Sequence, residues 1–591
     1  MLTAPGADWQ PVPGKMMTRW GRKVTPRNTW REYPRPQFER EDWQGLNGLW
    51  DYTITTREAA QPTAWSGKIL VPFPVESTLS GVGQLLKPDG ALWYRRTVRL
   101  KPDSGRRTLL NFEAVDYQAT VWVNGTSAGD HVGGNTPFSF DVTDALERGD
   151  NEIVVRVTDA TGGSQLRGKQ TLEPGGIWYT RVSGIWQTVW LEEVPDHHLA
   201  GVNIVTTINP AIISLAPSVE GGAAGTNVRM TASFKGRKVA TTTGQGVLKL
   251  AIPDAKLWSP AHPNLYDLKI ELLDAKGKVV DTVKSYTGIR EVGEKRDADG
   301  HRRFTLNGEE IFHWGPLDQG WWPDGLLTPP SDAAMCSDID FLKSAGFNMI
   351  RKHIKVEPRR YYAHCDRVGM LVWQDQVSGG KDAKWTRMRP DPVDAEWSDA
   401  DHAEWMKELQ SMMDELHNQP CIVVWTPFNE AWGQHRSVEV GDWMMKYDPT
   451  RLINIASGGN FWPVGNIADN HKYPEPGFPL DNANFNDYVK VVGEFGGYGW
   501  AVSGHLWQPD KRNWGYGSLP KSKEEYQARY EKSLGILADL KSKGISAGVY
   551  TQTTDVEGEV NGLMTYDREV SKIPAAKLLE LSNQLGPELR R

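Results

Sequence analysis

The sequence predicts a multidomain chain: a β-sandwich, then an immunoglobulin-like β-sandwich, then a C-terminal (β/α)8 TIM barrel. Three observations carry that reading. At 591 residues the chain is too long for a single hydrophobic core. Its first half consists of short strand-like runs between turn clusters, without helical periodicity, which is the pattern of stacked sheets. From residue 292 onward strands alternate with helices, the pattern of a parallel sheet covered by helices.

Residues 1–40 are rich in Pro, Arg and Trp without periodicity and read as an extended arm lying across a domain. Residues 41–196 carry runs such as LWDYTI, WYRRTVRL, ATVWVNG and NEIVVRV, with hairpin-type turns at Asn124–Gly125 and Gly149–Asn151. Residues 197–291 (VNIVTTI, NVRMTASF, DLKIELLD) have the size and strand spacing of an immunoglobulin-like sandwich, lack cysteine for an intersheet disulfide, and read as a spacer. Residues 292–591 hold eight strand candidates: Ile311–Trp314, Asn348–His353, Leu371–Trp373, Ile422–Trp425, Leu452–Ile455, Gly465–Ala468, Val489–Gly493 and Gly548–Thr551. Helical runs separate several of them, at Ala333–Ala345, Pro358–Val368, Glu404–His417 and Lys523–Lys541. Eight strands over about 280 residues is the expected size of a βα barrel.

Composition excludes several classes. A formal net charge of −7 without a Lys/Arg block argues against a nucleic-acid partner. No run of 18 apolar residues exists, so no membrane-spanning helix is expected. The opening MLTAPGADWQPVPGKMMTRW has no apolar core of a signal peptide; a trimmed leader would place the protein in the periplasm or outside the cell, and otherwise it is cytoplasmic. Cys336, Cys365 and Cys421 have no paired spacing and read as small buried hydrophobes, not as a disulfide framework or a zinc site. The 26 tryptophans are assigned mainly to packing and partly to sugar-stacking surfaces.

Two strand ends carry the chemistry. In Cys421–Gly433, CIVVWTPFNEAWG, a short apolar run closes on Asn429 and Glu430. Carboxyl ends of barrel strands line the active site. Glu430 is flanked by Trp425 and Trp432, and a carboxyl among indoles has its charged form disfavoured, as a general acid requires; capping of the next helix is the plainer alternative. In Lys490–Trp500, KVVGEFGGYGW, a second run closes on Glu494 before Gly496, Gly497 and Gly499, where glycine lets a ligand approach the backbone. Two such glutamates at one barrel mouth suggest the paired carboxylates of glycoside hydrolysis.

Together with LNGLW (Leu46–Trp50), RVSGIWQTVWLE (Arg181–Glu192), LWSPAHPNLYDL (Leu257–Leu268) and GIREV (Gly288–Val292), the pair FNEAWG and GEFGG resembles glycoside hydrolase family 2, which holds β-galactosidases, β-glucuronidases and β-mannosidases. The likeness covers nearly the whole chain. It implies that the first sandwich is a jelly-roll, sugar-binding-like domain, that Glu430 is the acid/base and that Glu494 is the nucleophile of a double displacement. Opposite sides of one mouth allow the roughly 5–5.5 Å carboxyl separation that gives retention.

The resemblance also places Asn429 on the sugar 2-hydroxyl, Arg351 and His353 at the end of the second strand, and His471 and Tyr473 in the segment whose tyrosine bonds the nucleophile. The family's His stands one residue later than His353. Asp375 at the end of strand three is a candidate for sugar hydroxyls, with helix capping as its alternative. Trp432 is a candidate for the ligand surface, and Asp318 with Trp321, in the loop after strand one, for a subsite wall. Trp178, Tyr179 and Arg181 fall in a segment that in the family packs near the barrel mouth, where an interdomain contact is the plainer reading.

Three departures bear on the sugar. The Asn-x-Lys pair that holds the carboxylate in β-glucuronidases is reduced to Asn561, Thr551 stands where relatives often place a tryptophan, and Gly497 stands where β-galactosidases carry a histidine. The first counts against a glucuronide, because an uncompensated buried carboxylate is costly. The metal-binding carboxylates of large β-galactosidases have no counterpart, and neither metal nor other cofactor is expected. The leading reading is therefore a retaining exo-β-glycosidase, β-galactosidase-like, acting on an oligosaccharide or a polysaccharide side chain, with oligomerisation left open. A β-glucuronidase or a hydrolase of an uncommon polysaccharide side chain is the alternative within enzymes, and a non-catalytic carbohydrate-binding protein the alternative outside them.

Overall fold

The structure, a computed structural model, describes residues 9–222, 225–389 and 391–590; the first eight residues of the expected arm lie outside it. The arm from residue 9 touches all three domains. The Thr18 amide and hydroxyl donate to Asp324 in the barrel (2.9 and 2.7 Å), Tyr33 bonds Glu192 of the first sandwich, and Arg40 pairs with Asp281 of the second (2.6 Å).

The first sandwich packs a six-stranded antiparallel sheet (in spatial order Gly67–Val71, Gly48–Thr56, Gly90–Leu100, Gly149–Thr158, Gln118–Val123, Thr126–Val132) on a four-stranded one (Trp43–Gly45, Val189–Pro195, Arg106–Phe112, Phe138–Asp141). Alternate residues point inward, and Leu92, Tyr94, Val121 and Val155 meet Leu110, Phe112 and Leu191 in one core. The second sandwich has seven strands, three (His198–Ile208, Ala211–Glu220, Leu248–Ala251) on four (Arg237–Gly244, Asn227–Phe234, Tyr266–Leu273, Val279–Thr287). That is the strand count of an immunoglobulin-like domain.

The chain then departs from the expected strand–helix rhythm. Val292–Arg296, Arg302–Leu306 and Glu309–Glu310 form a three-stranded antiparallel sheet. The turns around Gly300 and Gly308, both at positive φ, reverse the chain where glycine alone bends freely. Its Phe304 stacks on His313 (4.3 Å between centroids), so the sheet covers the amino end of the barrel.

The barrel strands are β1 His313–Asp318, β2 Met349–Lys352, β3 Leu371–Asp375, β4 Ile422–Thr426, β5 Leu452–Ile453, β6 Ile467–His471, β7 Val489–Gly496 and β8 Ile545–Thr551. They pair in parallel from β5 down to β1, then β8, β7 and β6; β5 and β6 flank the one junction without a ladder. The surrounding helices include Asp332–Ser344, Asp399–Leu416 and Lys523–Ser542, each started by a serine (331, 398, 522) whose side chain accepts an amide three residues on.

All eight strands stand where the apolar runs lie, but β1, β6 and β7 run on to Asp318, His471 and Gly496. Apolar residues mark only the stretch buried on both faces, whereas the carboxyl end carries the polar side chains of the mouth. Eight of the tryptophans, among them Trp50, Trp314 and Trp373, are among the largest fully buried side chains. The three cysteines are free, Cys365 and Cys421 buried and Cys336 half-buried. No helix among the described residues is long and apolar enough to cross a membrane.

Candidate active site

Arg351, fully buried at the end of β2, organises the mouth. Its Nε and Nη2 donate to both oxygens of Asp375 at the end of β3 (3.2 and 2.9 Å). Nη2 also donates to Asn429 Oδ1 (2.8 Å), and Nη1 to Glu494 Oε1 (2.9 Å) and the Gly493 carbonyl (3.2 Å). One rigid guanidinium fork thereby sets the relative positions of β2, β3, β7 and the loop after β4.

Glu494 lies in β7 with its side chain 8% exposed. Oε2 accepts from the Tyr473 hydroxyl (2.6 Å) and lies 3.3 Å from His471 Nδ1. Burial alone would raise this carboxyl, but His471, Arg351 and the Tyr473 hydroxyl outweigh it and hold it well below the usual carboxylate range. It is thus ionised at neutral pH, as a nucleophile must be. The Tyr473 ring stacks on Tyr516 (3.6 Å, 6°), and its hydroxyl also lies 2.6 Å from Thr551 Oγ1 at the end of β8.

Glu430 follows β4. Its amide donates to the Ser457 carbonyl (2.7 Å), and its backbone takes a positive φ of 54°, a conformation that costs a residue with a Cβ about 1 kcal/mol or more and clusters at functional sites. Oε1 lies 3.1 Å from His471 Nδ1. An oxygen of Glu430, a nitrogen of His471 and an oxygen of Glu494 all fall within 4.8 Å of one another. This is the grouping of metal-ligating side chains among the described residues. A cation there would sit against the Arg351 guanidinium, 3.3 Å from His471 Nε2 and already balancing Glu494, so the trio reads as a proton-sharing set.

Asn429 (2% exposed) gives Oδ1 to Arg351, and its amide nitrogen is left without a hydrogen bond among the described residues. Trp432 stacks on Trp178 of the jelly-roll (5.1 Å, 24°), a half-exposed aromatic pair beside Glu430. His353 Nδ1 lies 3.1 Å from Asp375 Oδ2; burial, helped by Lys169 and Arg351, holds its pKa well below the ordinary histidine value, so the ring is neutral.

Four expectations need correcting. Asp375 is not available to sugar hydroxyls: it is fully buried with both oxygens taken by Arg351 and one shared with His353, so it holds these two residues in place. Asp318 walls no subsite, because Oδ2 accepts from Lys352 (2.7 Å) and Tyr361 (3.1 Å) and Oδ1 from the Gly320 amide (3.1 Å). Trp321, 3% exposed, packs with Tyr179, Val182 and Trp186 between barrel and jelly-roll. Trp425 points into the helix layer, donating to Asp448 (2.8 Å), so Glu430 does not lie between two indoles.

A second polar cluster, of which the sequence pointed only to Tyr179 and Asn561, adjoins these residues. Glu559 accepts from the Tyr179 hydroxyl and from Asn561 Nδ2 (2.8 Å); Gln552 Nε2 donates to Asn561 Oδ1 (2.6 Å), and Gln319 Nε2 donates to both Gln552 Oε1 (2.6 Å) and Tyr179 (2.8 Å). Lys169 stands over Tyr179 (5.6 Å) and Trp432 (6.0 Å), and among the described residues its ammonium has neither a hydrogen bond nor an ion pair. The acid in EVNG was a usable signal for Glu559; nothing local marks Lys169, Ser457 or Tyr516, which are brought in by the domain interface and by long loops.

Arg351→Met is expected to cost about 3–5 kcal/mol of stability, since it leaves Asp375 and Glu494 buried without their counter-charge. Chemical denaturation of the two proteins side by side measures it, and an unchanged midpoint would refute the central role of the guanidinium.

Three consecutive domain models of one family match this chain: the sugar binding domain over residues 43–195, the middle domain over 206–290 and the TIM barrel domain over 331–474. The chain belongs to glycosyl hydrolases family 2. A Formosa agariphila protein named a beta-glucuronidase is 30% identical to this family 2 chain over 398 residues, 63% of this chain and 34% of that protein. The beta-galactosidase of Enterobacter cloacae is 25% identical over 510 residues, 76% of this chain and 44% of that one. The family 2 chain therefore spans less than half the length of these curated relatives. Among solved structures, the Dictyoglomus thermophilum beta-D-glucuronidase superposes with a TM-score of 0.75 at 19% identity, covering 94% of this chain and 99% of that one. The Bifidobacterium dentium beta-glucuronidase, solved with coumarin-3-O-glucuronide, gives 0.74 at 20% identity, covering 92% and 97%. These likenesses show the shared three-domain fold.

Proposed function

We propose that this family 2 chain is a retaining exo-β-glycosidase that removes a terminal β-linked sugar, β-galactosidase-like, by double displacement. The observation that supports it most is the pair of carboxylates held within 4.8 Å in different settings, Glu494 under the Arg351 guanidinium and the Tyr473 hydroxyl, Glu430 beside the His471 ring that both share. Glu494 attacks the anomeric carbon while Glu430 protonates the leaving oxygen; Glu430 then takes a proton from the water that releases the sugar. The free amide nitrogen of Asn429 is placed to bond the 2-hydroxyl, where contacts strengthen in the transition state. The Trp178–Trp432 pair provides a platform for the leaving group. A pure binding protein gains nothing from two adjacent, mutually repelling carboxylates.

For the sugar, Glu559 favours a neutral ring: a second acid close enough to feel the Glu494 charge disfavours a uronate by like-charge repulsion. The second reading, a β-glucuronidase, is favoured by the Lys169 ammonium, which among the described residues has no hydrogen bond or close ion pair and acts on Glu559 only at longer range, and by the names of the relatives. A panel of aryl β-glycosides tests both. Galactoside turnover is expected to exceed glucuronide turnover by about tenfold or more, since one unsatisfied buried polar group costs about 1–3 kcal/mol, and Glu559→Gln is expected to narrow the gap. A glucuronide preference abolished by Lys169→Met would install the second reading, and inactivity on the whole panel would remove the glycosidase proposal.

A further inference from the structure

The placement of His471 is not required by double displacement, which needs only two carboxylates. The ring stands at the end of β6, 7% exposed, between Glu430 and Glu494. Its face rests on Gly458, where an added Cβ would come within 2.0 Å of the imidazole, so the ring has no room to swing towards that loop.

The hydrogen bonds behind the ring determine which nitrogen faces the carboxylates. Asp469 collects three donors: the Gly493 amide (2.7 Å), Asn454 Nδ2 (2.8 Å) and the Ser457 hydroxyl (2.6 Å). It is therefore an acceptor, and the single Ser457 proton is committed to it. Towards His471 Nε2, 2.9 Å away, Ser457 Oγ can then only accept, so Nε2 carries a hydrogen. Arg351 Nη1, a donor 3.3 Å away on the other flank, competes for a lone pair on Nε2, but the Ser457 contact is the shorter and sets the hydrogen there. Nδ1 is left facing Glu430 Oε1 (3.1 Å) and Glu494 Oε2 (3.3 Å) with either a lone pair or a second proton.

We propose that His471 Nδ1 and Glu430 hold the catalytic proton jointly, so that the acid/base of this enzyme is a Glu430–His471 couple beside the ionised Glu494. The inference rests on the glycosidase reading for its use in catalysis, but not for the proton placement. Before reaction one proton lies between Glu430 Oε1 and Nδ1. It passes from Glu430 to the leaving oxygen as the C–O bond breaks and the Glu494–carbon bond forms. In the second half, water attacks the anomeric carbon, the bond to Glu494 breaks, and the water proton returns to the couple. His471 contacts the two carboxylates and no sugar atom in this scheme, and it acts through Glu430 as a positioning residue. The charged groups around it are Arg351 from β2 with Asp375 behind it, Asp469 on its own strand, Glu430, and Glu494; His353 and Tyr473 complete the titratable set.

Two proton sites bind more tightly than one, and the proton near Glu494 also keeps that nucleophile ionised. Burial disfavours the charged ring, but Glu494, Glu430 and Asp469 outweigh it and raise the His471 pKa above its ordinary value. His471→Gln should therefore move both limbs of the kcat/KM profile inward, the alkaline limb downward and the acid limb upward, each by about half a pH unit or more. Limbs that stay in place would overturn the proposal. A readout independent of any substrate accompanies it: in 15N-histidine long-range spectra of the whole protein, with His471 assigned by its absence from the variant, the neutral ring is expected as the Nε2–H tautomer. Its pKa should fall in Glu430→Gln, which removes the shared site. A ring protonated on Nδ1 alone, or one whose titration ignores Glu430→Gln, refutes it. If no glycoside is cleaved, the glycosidase reading fails while the spectra still decide the proton.

Discussion

Replacing Glu494 with alanine is expected to reduce turnover of an aryl β-glycoside by about 10⁴-fold or more, the scale of losing a nucleophile. Azide should restore turnover with an α-configured glycosyl azide as product. The reason is local. Glu494 is the acceptor towards which Arg351, Tyr473 and His471 converge, and alanine leaves a cavity on that face sized for a small anion. Arg351 keeps its bidentate pair with Asp375, so the variant should remain folded, which circular dichroism checks. Product analysis by NMR decides the matter: substantial activity without azide, or a β-configured azide, would remove Glu494 from the nucleophile role.

Replacing Glu430 with alanine should separate substrates by their leaving group. A dinitrophenyl glycoside needs little protonation and should still form the glycosyl-enzyme, whereas an alkyl glycoside should lose about 10²–10⁴-fold, the usual contribution of general acid catalysis. The second step then lacks its base, so the intermediate should accumulate and be visible by mass spectrometry, and azide should trap it as the β-azide. Equal losses for all leaving groups would argue against acid catalysis at Glu430.

Much of the architecture could be read without coordinates. Short apolar runs closing on Arg351, Asp375, Asn429 and Glu494 marked the strands buried on both faces and the ends that line the mouth. The three-stranded sheet after Thr287 was not read, because its residues are mostly polar and lie half outside the core. The roles of Asp375 and Asp318 were misread for a shared reason. A strand-end aspartate looks the same in sequence whether it faces the ligand or an interior cation, and only the positions of Arg351 and Lys352 tell the two apart.

From the residues alone came the order of domains, the eight strands and the two glutamates, because these depend on periodicity and on chemistry carried by single side chains. Which nitrogen of His471 faces the carboxylates, what Asp375 holds, and where Lys169 and Glu559 stand depended on the folded chain. Those properties belong to pairs of groups far apart in sequence, such as Ser457 with Asp469 and Tyr179 with Glu559, whose distances are set by how the jelly-roll and the long loops close over the barrel.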